Sequence, residues 1–312
     1  MRLPVLLAIV AAPEPVIAIF GPTGVGKTSV AIEVAERLRA RGQDPVAVSA
    51  DALQVYRGLE LLTGAPTAEE RERLEHRLVS FLPVRETFSA GQFAALAHAE
   101  IHAALDSGRR PIVVGGTGLY LQAALTDLEL RPPPPPGVRE RILGELDRRG
   151  VEALHAELAE RSPAAAASVE PTDRTRVVRA LELLEMGEEP APAGAESRLW
   201  TAELRRPTVL CGLTLERERL YEQIDARVEG MVAAGAAEEV RRADAAGASS
   251  TARKALGFDE LLRGDVEGMK RRTRNYAKRQ LSWMRRLERA NLVDAAADPV
   301  DRLFALVKEE DS

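Results

Sequence analysis

The feature that most constrains this chain is the segment 21–28, which reads GPTGVGKT and matches the pattern G-x-x-x-x-G-K-S/T in full. A wholly apolar run at 16–20 precedes it, as expected of a strand buried on both faces of a parallel sheet. Helical periodicity follows over 29–41. In this context the glycines let backbone N–H groups converge on one anion, and the helix N-terminus adds positive potential. The segment therefore predicts a loop that holds a pyrophosphate-bearing small substrate.

Each residue of this loop is a candidate contact for the pyrophosphate. Lys27 supplies a point charge, and the hydroxyl of Thr28 can ligate Mg²⁺. The candidate pyrophosphate-binding residues are Gly21, Pro22, Thr23, Gly24, Val25, Gly26, Lys27 and Thr28.

Strands and helices alternate along the first half of the chain. Apolar runs at 45–49 and 111–114 predict two further strands, and the pattern at 88–107 predicts a helix between them. A later apolar run at 208–214 predicts a strand that returns to the same sheet. This alternation indicates an α/β fold, a parallel sheet flanked by helices as in P-loop NTPases, with right-handed crossovers.

The middle of the chain has a different character. Five prolines at 132–136 predict a stiff connector, the pattern over 137–184 is helical throughout, and 187–194 reads as a loop. Two more long helices are predicted, at 220–243 and 269–289. We therefore expect an all-helical insertion between two parts of the core. The predicted bounds of the first core part, the insertion and the second core part are 1–125, 126–205 and 206–312.

Cysteine usage and the N-terminus bear on the compartment. Cys211 is the only cysteine of the chain, so an internal disulfide and a cysteine cluster for zinc are excluded; we expect it to be buried. Arg2 and the apolar stretch 3–12 resemble a short signal peptide, but we favour a non-native leader or an upstream start codon. No run of the sequence approaches the roughly 18 apolar residues of a membrane span. A cytoplasmic protein without a membrane partner is expected.

Asp51 follows the second predicted strand, in the segment SADALQVY at 49–56. Ligands of open α/β sheets bind outside the carboxyl ends of the strands, so Asp51 is expected beside the phosphate loop. A carboxylate at this place can ligate Mg²⁺ or act as a general base. The alternative is a plain helix N-cap.

The third predicted strand runs into GGTGLY at 115–120, where an ATPase or GTPase usually has an aspartate that holds Mg²⁺. Glycines here indicate that a large group approaches the backbone closely, and Thr117 and Tyr120 can donate hydrogen bonds to it. A purely structural glycine turn is the alternative.

Charge is distributed unevenly. The stretch 251–290 holds twelve basic and five acidic residues, a net charge of +7 in a chain whose formal net charge is −5. Such a stretch can bind phosphates, most simply a nucleic-acid backbone, although a solvated helix face is the usual reading of a charge run. Acidic residues are scarce between Lys270 and Arg286, which favours polyanion binding, and we assign Arg274, Lys278 and Arg279 to it.

Together these segments resemble the tRNA dimethylallyltransferase family, also called tRNA isopentenyltransferases. The family's G-P-T-x-x-G-K-T, S-x-D-S-x-Q-V-Y-x-G, G-G-T-G-L-Y, A-x-G-Y/F-x-E and Y-A-K-R-Q-x-x-W segments are matched in order, at 21–28, 49–58, 115–120, 255–260 and 276–283.

The resemblance implies transfer of a dimethylallyl group from dimethylallyl diphosphate to N6 of adenosine 37, beside the anticodon of a tRNA. It implies that Asp51 is the general base for that amine. By the same resemblance Thr23, Lys27 and Thr28 hold the diphosphate with Mg²⁺, and Arg227 adds a phosphate contact. The positions that match tRNA-contacting stretches of the family are Asp51, Ala52, Leu53, Gln54, Thr117, Arg139, Thr175, Arg176, Arg179, Lys254, Gly257 and Phe258. The expected partners are a tRNA anticodon stem-loop and dimethylallyl diphosphate, bound by a monomer.

Four positions depart from the family pattern. Ala65 stands where the family usually has a lysine, Arg77 and Ser80 alter its H-H-L-I/V-D segment, and Gln223 replaces an arginine.

Two other functions share the phosphate loop. A P-loop small-molecule or nucleoside kinase would release ADP but has no use for the basic stretch or the insertion, and a non-catalytic RNA-binding protein has no need of Lys27, Thr28 and Asp51.

Overall fold

The computed structural model describes residues 15–128, 130–131, 133–135, 137–190 and 203–310. The chain divides into two compact units, Met1–Leu128 with Ala202–Ser312 and Glu129–Thr201, and each is described by itself. The leader at 2–12 and parts of the proline run and of the 187–194 loop lie outside the described residues.

The first unit is built on a six-stranded parallel sheet of order β4-β2-β6-β1-β7-β8, and a short pair, β3 with β5, lies apart from it. The strands are β1 (Val16–Phe20), β2 (Pro45–Ser49), β3 (Tyr56–Arg57), β4 (His76–Arg77), β5 (Leu82–Pro83), β6 (Arg110–Gly115), β7 (Thr208–Thr214) and β8 (Asn291–Asp294).

The core lies around β1, which pairs with β6 on one side and β7 on the other. Ile19 lies opposite Val114 and Cys211, and all five residues of β1 are buried. A central strand of a parallel sheet is covered on both faces, which explains why its sequence is a continuous apolar run. The predicted fold class and the burial of Cys211 are confirmed.

Helices cover the sheet of the first unit, and a 3₁₀ turn spans Ala252–Lys254. These helices are α1 (Lys27–Arg39), α2 (Glu60–Thr63), α3 (Ala68–Arg73), α4 (Ala90–Asp106), α5 (Gly118–Leu125), α10 (Arg217–Ala233), α11 (Ala236–Ala245), α12 (Phe258–Leu262), α13 (Val266–Met284) and α14 (Pro299–Glu310). None of the helices in the described ranges is at once long and apolar enough to cross a bilayer.

One long helix predicted at 220–243 is wrong. The chain forms α10 and α11 instead, and Gly235 between them has φ +100°. This left-handed conformation is accessible to glycine and strained for residues with a Cβ atom, so Gly235 fixes the break. The periodicity continues on both sides of the break, which hides it from a pattern search.

Within the described residues of the second unit, four helices pack around an apolar core, as the helical pattern over 137–184 predicts. They are α6 (Val138–Arg149), α7 (Val151–Arg161), α8 (Pro163–Ala167) and α9 (Arg174–Glu185). Ile142, Leu154, Leu158 and Val177 are among the buried side chains of this core. Because these residues recur at helical spacing, each helix presents one apolar stripe to the others.

Candidate active site

The phosphate loop connects β1 to α1 and closes around its own lysine. Gly24 and Gly26 have φ +85° and +92°, which turns the backbone tightly before α1 begins at Lys27. The Lys27 ammonium donates to the carbonyl oxygens of Gly21 (3.0 Å) and Pro22 (2.9 Å). A cation is thereby held at the N-terminus of a helix whose first turn carries no acidic residue. This combination suits a polyanionic ligand.

Asp51 lies just beyond the carboxyl end of β2, as its position in the sequence predicts. Its Oδ1 accepts hydrogen bonds from the backbone N–H groups of Leu53 (2.8 Å) and Gln54 (3.3 Å). No hydrogen bond among the described residues reaches its other oxygen, Oδ2. Asp51 caps a turn and begins no helix, so the helix N-cap alternative is wrong. The bonds to Oδ1 fix the carboxylate and leave Oδ2 to meet a ligand.

A cation from α10 faces the loop. Arg227 donates to the carbonyl oxygen of Gly64 (3.4 Å), and Gly64 has φ +58°. A Cβ atom at position 64 would overlap the Arg227 guanidinium, so the guanidinium would have to shift if this residue carried a side chain. The chain thus places Arg227 over a segment where the family usually has Ala-Lys and this chain has Gly64 and Ala65.

Electrostatics couple Lys27, Arg227 and Asp51. Burial and the nearby Arg227 together lower the pKa of Lys27 to about 7, and Asp51 opposes both effects. Burial also lowers the pKa of Arg227, although the open cavity leaves this residue accessible to solvent, and again Asp51 opposes the shift. The two cations are therefore unfavourable in the protein alone, through burial and, at Lys27, through repulsion from Arg227, and a bound anion would relieve this.

The short helix α2 is held in place by a buried carboxylate. Glu239 of α11 accepts hydrogen bonds from the backbone N–H groups of Leu61 (3.0 Å) and Leu62 (2.8 Å), and burial raises its pKa. These bonds satisfy donors that the first turn of a helix leaves unpaired. They anchor α2, with Leu61 and Leu62, to the rest of the core.

A cavity of about 410 Å³ opens between these groups. Polar residues of the phosphate loop and the Asp51 turn line it, and so do apolar residues, which form its apolar wall. The polar lining includes Thr23, Lys27, Thr28, Asp51, Gln54, Glu70, Thr273, Tyr276, Gln280 and Arg227, and the apolar lining includes Leu61, Leu62, Ala65, Val228, Met231, Leu256 and Met269. Such a cavity suits a small ligand with a polyanionic head and a short hydrocarbon tail.

The residues for a metal ion are few. The described part of the chain has no group of three or more His, Cys, Asp or Glu side chains that could hold a metal. Thr28, Ser49 and Asp51 nevertheless line a second cavity of about 30 Å³, close to the room needed by one water-sized ligand. Because Mg²⁺ commonly takes only one or two protein ligands beside water and phosphate oxygens, this donor set fits it.

The predicted tRNA contacts near the cavity fall into two groups. Ala52, Leu53 and Gln54 follow Asp51 in its turn, and Thr117 lies beside α13, where its hydroxyl is 3.1 Å from that of Tyr276. By contrast, Phe258 is fully buried under the guanidinium of Arg253, at 5.2 Å from its ring centroid. Its side chain cannot reach RNA in this conformation.

The other residues of that segment support α12. Lys254 ends the 3₁₀ turn and Gly257, with φ +94°, precedes α12. A Cβ atom at Gly257 would overlap Met269 of α13, so this glycine permits close packing of the two helices. Close packing accounts for Gly257 without a contact to tRNA.

Predicted contacts on α13 differ along the helix. Arg274 binds both carboxylate oxygens of Asp225 (2.6 and 2.5 Å). Lys278 lies over the ring of Tyr221 (5.9 Å to the centroid) and Arg279 over that of Tyr276 (5.5 Å). The scarcity of acids within 270–286 hid the partner of Arg274, because Asp225 comes from α10.

In the second unit, the predicted tRNA contacts form ion pairs or hydrogen bonds with acidic side chains of the same unit. Arg139 and Arg179 both bind Glu182, whose side chain is 0% exposed. Thr175 and Arg176 form the first turn of α9, and the Asp173 side chain accepts hydrogen bonds from their backbone N–H groups. The structure describes these residues only within their own unit.

The four departures lie in different surroundings. Ala65 lines the cavity, whereas Gln223 is exposed on α10. Arg77 pairs with Glu75 and Glu100, and the backbone N–H of Ser80 donates to the carbonyl oxygen of Gln54 (2.8 Å). Only the change at Ala65 therefore alters the lining of the cavity itself.

Comparison with known proteins supports one family. A model of the IPP transferase family matches residues 54–287. Curated tRNA dimethylallyltransferases from Kineococcus radiotolerans and Thermobifida fusca are 41% and 40% identical; the alignments cover 92% and 94% of this chain, and 93% and 94% of the relatives.

Solved structures agree. A tRNA isopentenylpyrophosphate transferase from Bacillus halodurans is 31% identical with a TM-score of 0.66, and the match covers 95% of this chain and 98% of that one. A eukaryotic dimethylallyltransferase acting on tRNA is 26% identical with a TM-score of 0.71, covering 90% of this chain and 74% of that one. A family match over most of the core, together with relatives of this similarity, makes this chain a member of the tRNA dimethylallyltransferase family.

Proposed function

We propose that this protein transfers a dimethylallyl group from dimethylallyl diphosphate to N6 of adenosine 37 in tRNA and releases diphosphate. The observation that carries the proposal is the cavity in which the phosphate loop and Asp51 meet beside an apolar wall. A prenyl diphosphate has the matching parts, a polyanionic head and a short apolar tail. The family's relatives are named for the same transfer to tRNA.

In the reaction, N6 of the adenine attacks C1 of the dimethylallyl group. The bond between C1 and the diphosphate oxygen breaks, and its electron pair leaves with the diphosphate. The N6 proton passes to the Asp51 carboxylate, which helps because an adenine amine is a poor nucleophile. The target base must leave its stack to enter the cavity.

Charge on the departing diphosphate is met by groups that are in place before the reaction. Lys27, Arg227 and the hydroxyl of Thr23 line the cavity on the phosphate side. Fixed donors of this kind lower the barrier because they need no reorganisation as charge develops. Mg²⁺, held through Thr28, would supply further neutralisation of the diphosphate when it is bound.

The tRNA contact is proposed to run from the 51–54 turn and Thr117 to the cations of α13, with additional contacts from the insertion. A monomer in the cytoplasm, where tRNA is found, is the proposed working form.

A kinase that uses ATP at the same loop is the rival function. Against it, β6 ends at Gly115 and leads into a glycine turn, with no aspartate at the position that usually serves Mg²⁺ in ATPases.

The test is to incubate the protein with labelled dimethylallyl diphosphate, Mg²⁺ and tRNA, and to look for label in the RNA at adenosine 37. Asp51→Asn should lower the rate by about 10²–10⁴, the usual contribution of a general base. Asp106→Asn is the matched control, because Asp106 is an exposed carboxylate at the end of α4.

Two outcomes would overturn the proposal. One is RNA that stays unlabelled while a nucleoside or small molecule becomes phosphorylated from ATP, which would establish the kinase. The other is full activity of Asp51→Asn, which would remove Asp51 from the mechanism.

A further inference from the structure

One face of α13 contacts three successive residues, Gly116–Gly118, in the turn where β6 leads into α5. Tyr276 bonds to Thr117 through the two hydroxyls (3.1 Å), and the Gln280 amide nitrogen donates to the carbonyl oxygen of Gly116 (2.6 Å). Trp283 packs so closely on Gly118 that a Cβ atom there would overlap the indole. These α13 residues are four and three positions apart, the spacing that places side chains on one face of a helix.

Gln280 also reaches a second loop. Its Oε1 accepts a hydrogen bond from the backbone N–H of Thr23 (2.8 Å), in the phosphate loop. The side chain is buried, with 5% of the residue exposed, and it lines the cavity. One amide therefore joins the loop proposed to bind diphosphate to the turn that carries Thr117, a proposed tRNA contact.

The orientation of this amide is determined by its partners. The backbone N–H of Thr23 can only donate and the carbonyl of Gly116 can only accept, so the amide must present oxygen to the first and nitrogen to the second. A Cβ atom at Gly116 would overlap the amide nitrogen and lie 3.3 Å from the Lys27 ammonium. The turn is thus shaped around both Gln280 and Lys27.

Without this bridge the phosphate loop would lose its tie to the turn. The loop contains three glycines, at 21, 24 and 26, and its lysine is bonded only to carbonyls of the same loop among the described residues. Glycine-rich backbone has many accessible conformations, so an external tie narrows them. In-line attack requires the leaving diphosphate and the attacking amine to be aligned, and misplacement by about 1 Å can cost roughly 10²-fold in rate.

We propose that Gln280 is a positioning residue that holds Thr23 of the phosphate loop against the Gly116–Gly118 turn and so aligns the diphosphate with the attacking amine. The inference rests on the proposed transfer to tRNA. Gln280 acts through the two loops and takes no proton in the reaction.

The first test is Gln280→Met, which keeps the length of the side chain and removes both hydrogen bonds. We expect kcat to fall by about 10- to 100-fold. The KM for tRNA should stay within twofold of the wild-type value. Gln122→Met is the matched control, because Gln122 is also buried, at 8% exposure, and lies outside the cavity lining. Melting temperatures of both variants are measured, and a kcat loss in Gln280→Met that Gln122→Met reproduces at a similar melting temperature would overturn the proposal.

The second test is Gln280→Glu, which retains the acceptor for the Thr23 N–H but presents a second oxygen to the Gly116 carbonyl. A protonated glutamic acid can donate to that carbonyl; burial raises the pKa of such a carboxyl, and the nearby Lys27 ammonium opposes this effect. The ratio of kcat for Gln280→Glu to wild-type kcat should therefore rise as pH falls from 8 to 6. A folded variant whose ratio is constant with pH would contradict the inference, and failure of both variants to fold would assign Gln280 a purely structural role.

Failure of the inference is distinguishable from failure of the proposed function. A wild-type protein that leaves tRNA unlabelled disproves the function, whatever Gln280 does. A wild-type protein that labels tRNA, with Gln280→Met fully active, disproves the inference alone.

Discussion

The cations of the cavity and the cations of the insertion are held in opposite ways. Lys27 and Arg227 donate to backbone carbonyl oxygens, and neither belongs to an ion pair among the described residues. In the insertion, Arg139 and Arg179 share the buried carboxylate of Glu182. From the family resemblance, the first two were predicted as contacts for the diphosphate and the other two as contacts for tRNA.

The difference concerns what a phosphate must displace. A phosphate that approaches Arg139 competes with a carboxylate already in place, whereas one that enters the cavity meets charge that lacks a carboxylate partner. The lowered pKa of Lys27 reflects how unfavourable this charge is in the protein alone. We infer that the cavity is prepared for an anion and that the paired arginines first serve the stability of their own unit.

The largest effect is expected from Lys27→Met. Removing one preorganised donor typically costs about 10²–10³ in rate, so kcat/KM for dimethylallyl diphosphate should fall by that factor, with little change in tRNA affinity. Steady-state kinetics with each substrate varied in turn will show it. A decrease of less than tenfold would mean that Lys27 contributes no more to the reaction than a cation that is already paired with a carboxylate.

Donor binding should depend on pH through the same residue. The pKa of Lys27 in the protein alone lies at about 7, because burial and Arg227 outweigh Asp51. Above pH 7 the amine is neutral and must take up a proton as the diphosphate binds, so affinity should fall by up to about tenfold for each further pH unit. Below pH 7 this group should contribute no slope. Calorimetric titration in buffers of different ionisation enthalpy measures the proton uptake, and Lys27→Met should abolish it.

Within the insertion, Arg139 and Arg176 make a matched pair. Arg139→Ala removes one of two partners from the buried Glu182 and should destabilise the protein by about 1–3 kcal/mol. Arg176 is 71% exposed beside Asp173, so Arg176→Ala should change stability by less than about 0.5 kcal/mol. Denaturant unfolding measures both. Equal stabilities would contradict the structural role given to Arg139.

The smallest effect is expected from variants of the α13 cations. Two double variants compare the cations that are paired with acids and the cations that lie over aromatic rings. Lys278→Ala with Arg279→Ala should lower the slope of log tRNA affinity against log salt by about 0.7–0.9 for each phosphate that the variant no longer neutralises. The comparison variant is Lys270→Ala with Arg274→Ala, whose cations bind Glu229 and Asp225 of α10. It should change the slope less and lower the melting temperature more. The reverse pattern would show that ion pairing on α13 does not exclude phosphate binding.

Buried strands were the most predictable part of the fold. Residues 16–20, 45–49 and 208–214 were predicted as strands to the residue, because strands covered on both faces are continuous apolar runs. β8 and α14 were not predicted. β8 has a single buried residue, Val293, so its pairing with β7 is invisible in its own composition.

Site residues that act through local chemistry could also be predicted. The phosphate loop and Asp51 lie on the carboxyl-end edge of the sheet, as topology requires. Tyr276 and Gln280 stood in a segment that the sequence singled out, yet nothing there indicated their partners, Thr117 and Thr23. Contacts between residues more than 150 positions apart depend on how helices pack, which periodicity alone does not specify.

The chain leaves the first unit for the insertion and returns to it at neighbouring positions, which are joined by contacts within that unit. Thr126 forms an antiparallel bridge with Leu204, the backbone N–H of Arg205 donates to the carbonyl oxygen of Leu125 (2.9 Å), and Arg205 pairs with Asp127. Chain exit and chain re-entry are thus neighbours before any inserted residue contributes. We therefore expect this site to tolerate insertions of different length. A longer or shorter segment between 128 and 202 should leave the register of β7 in the sheet unchanged.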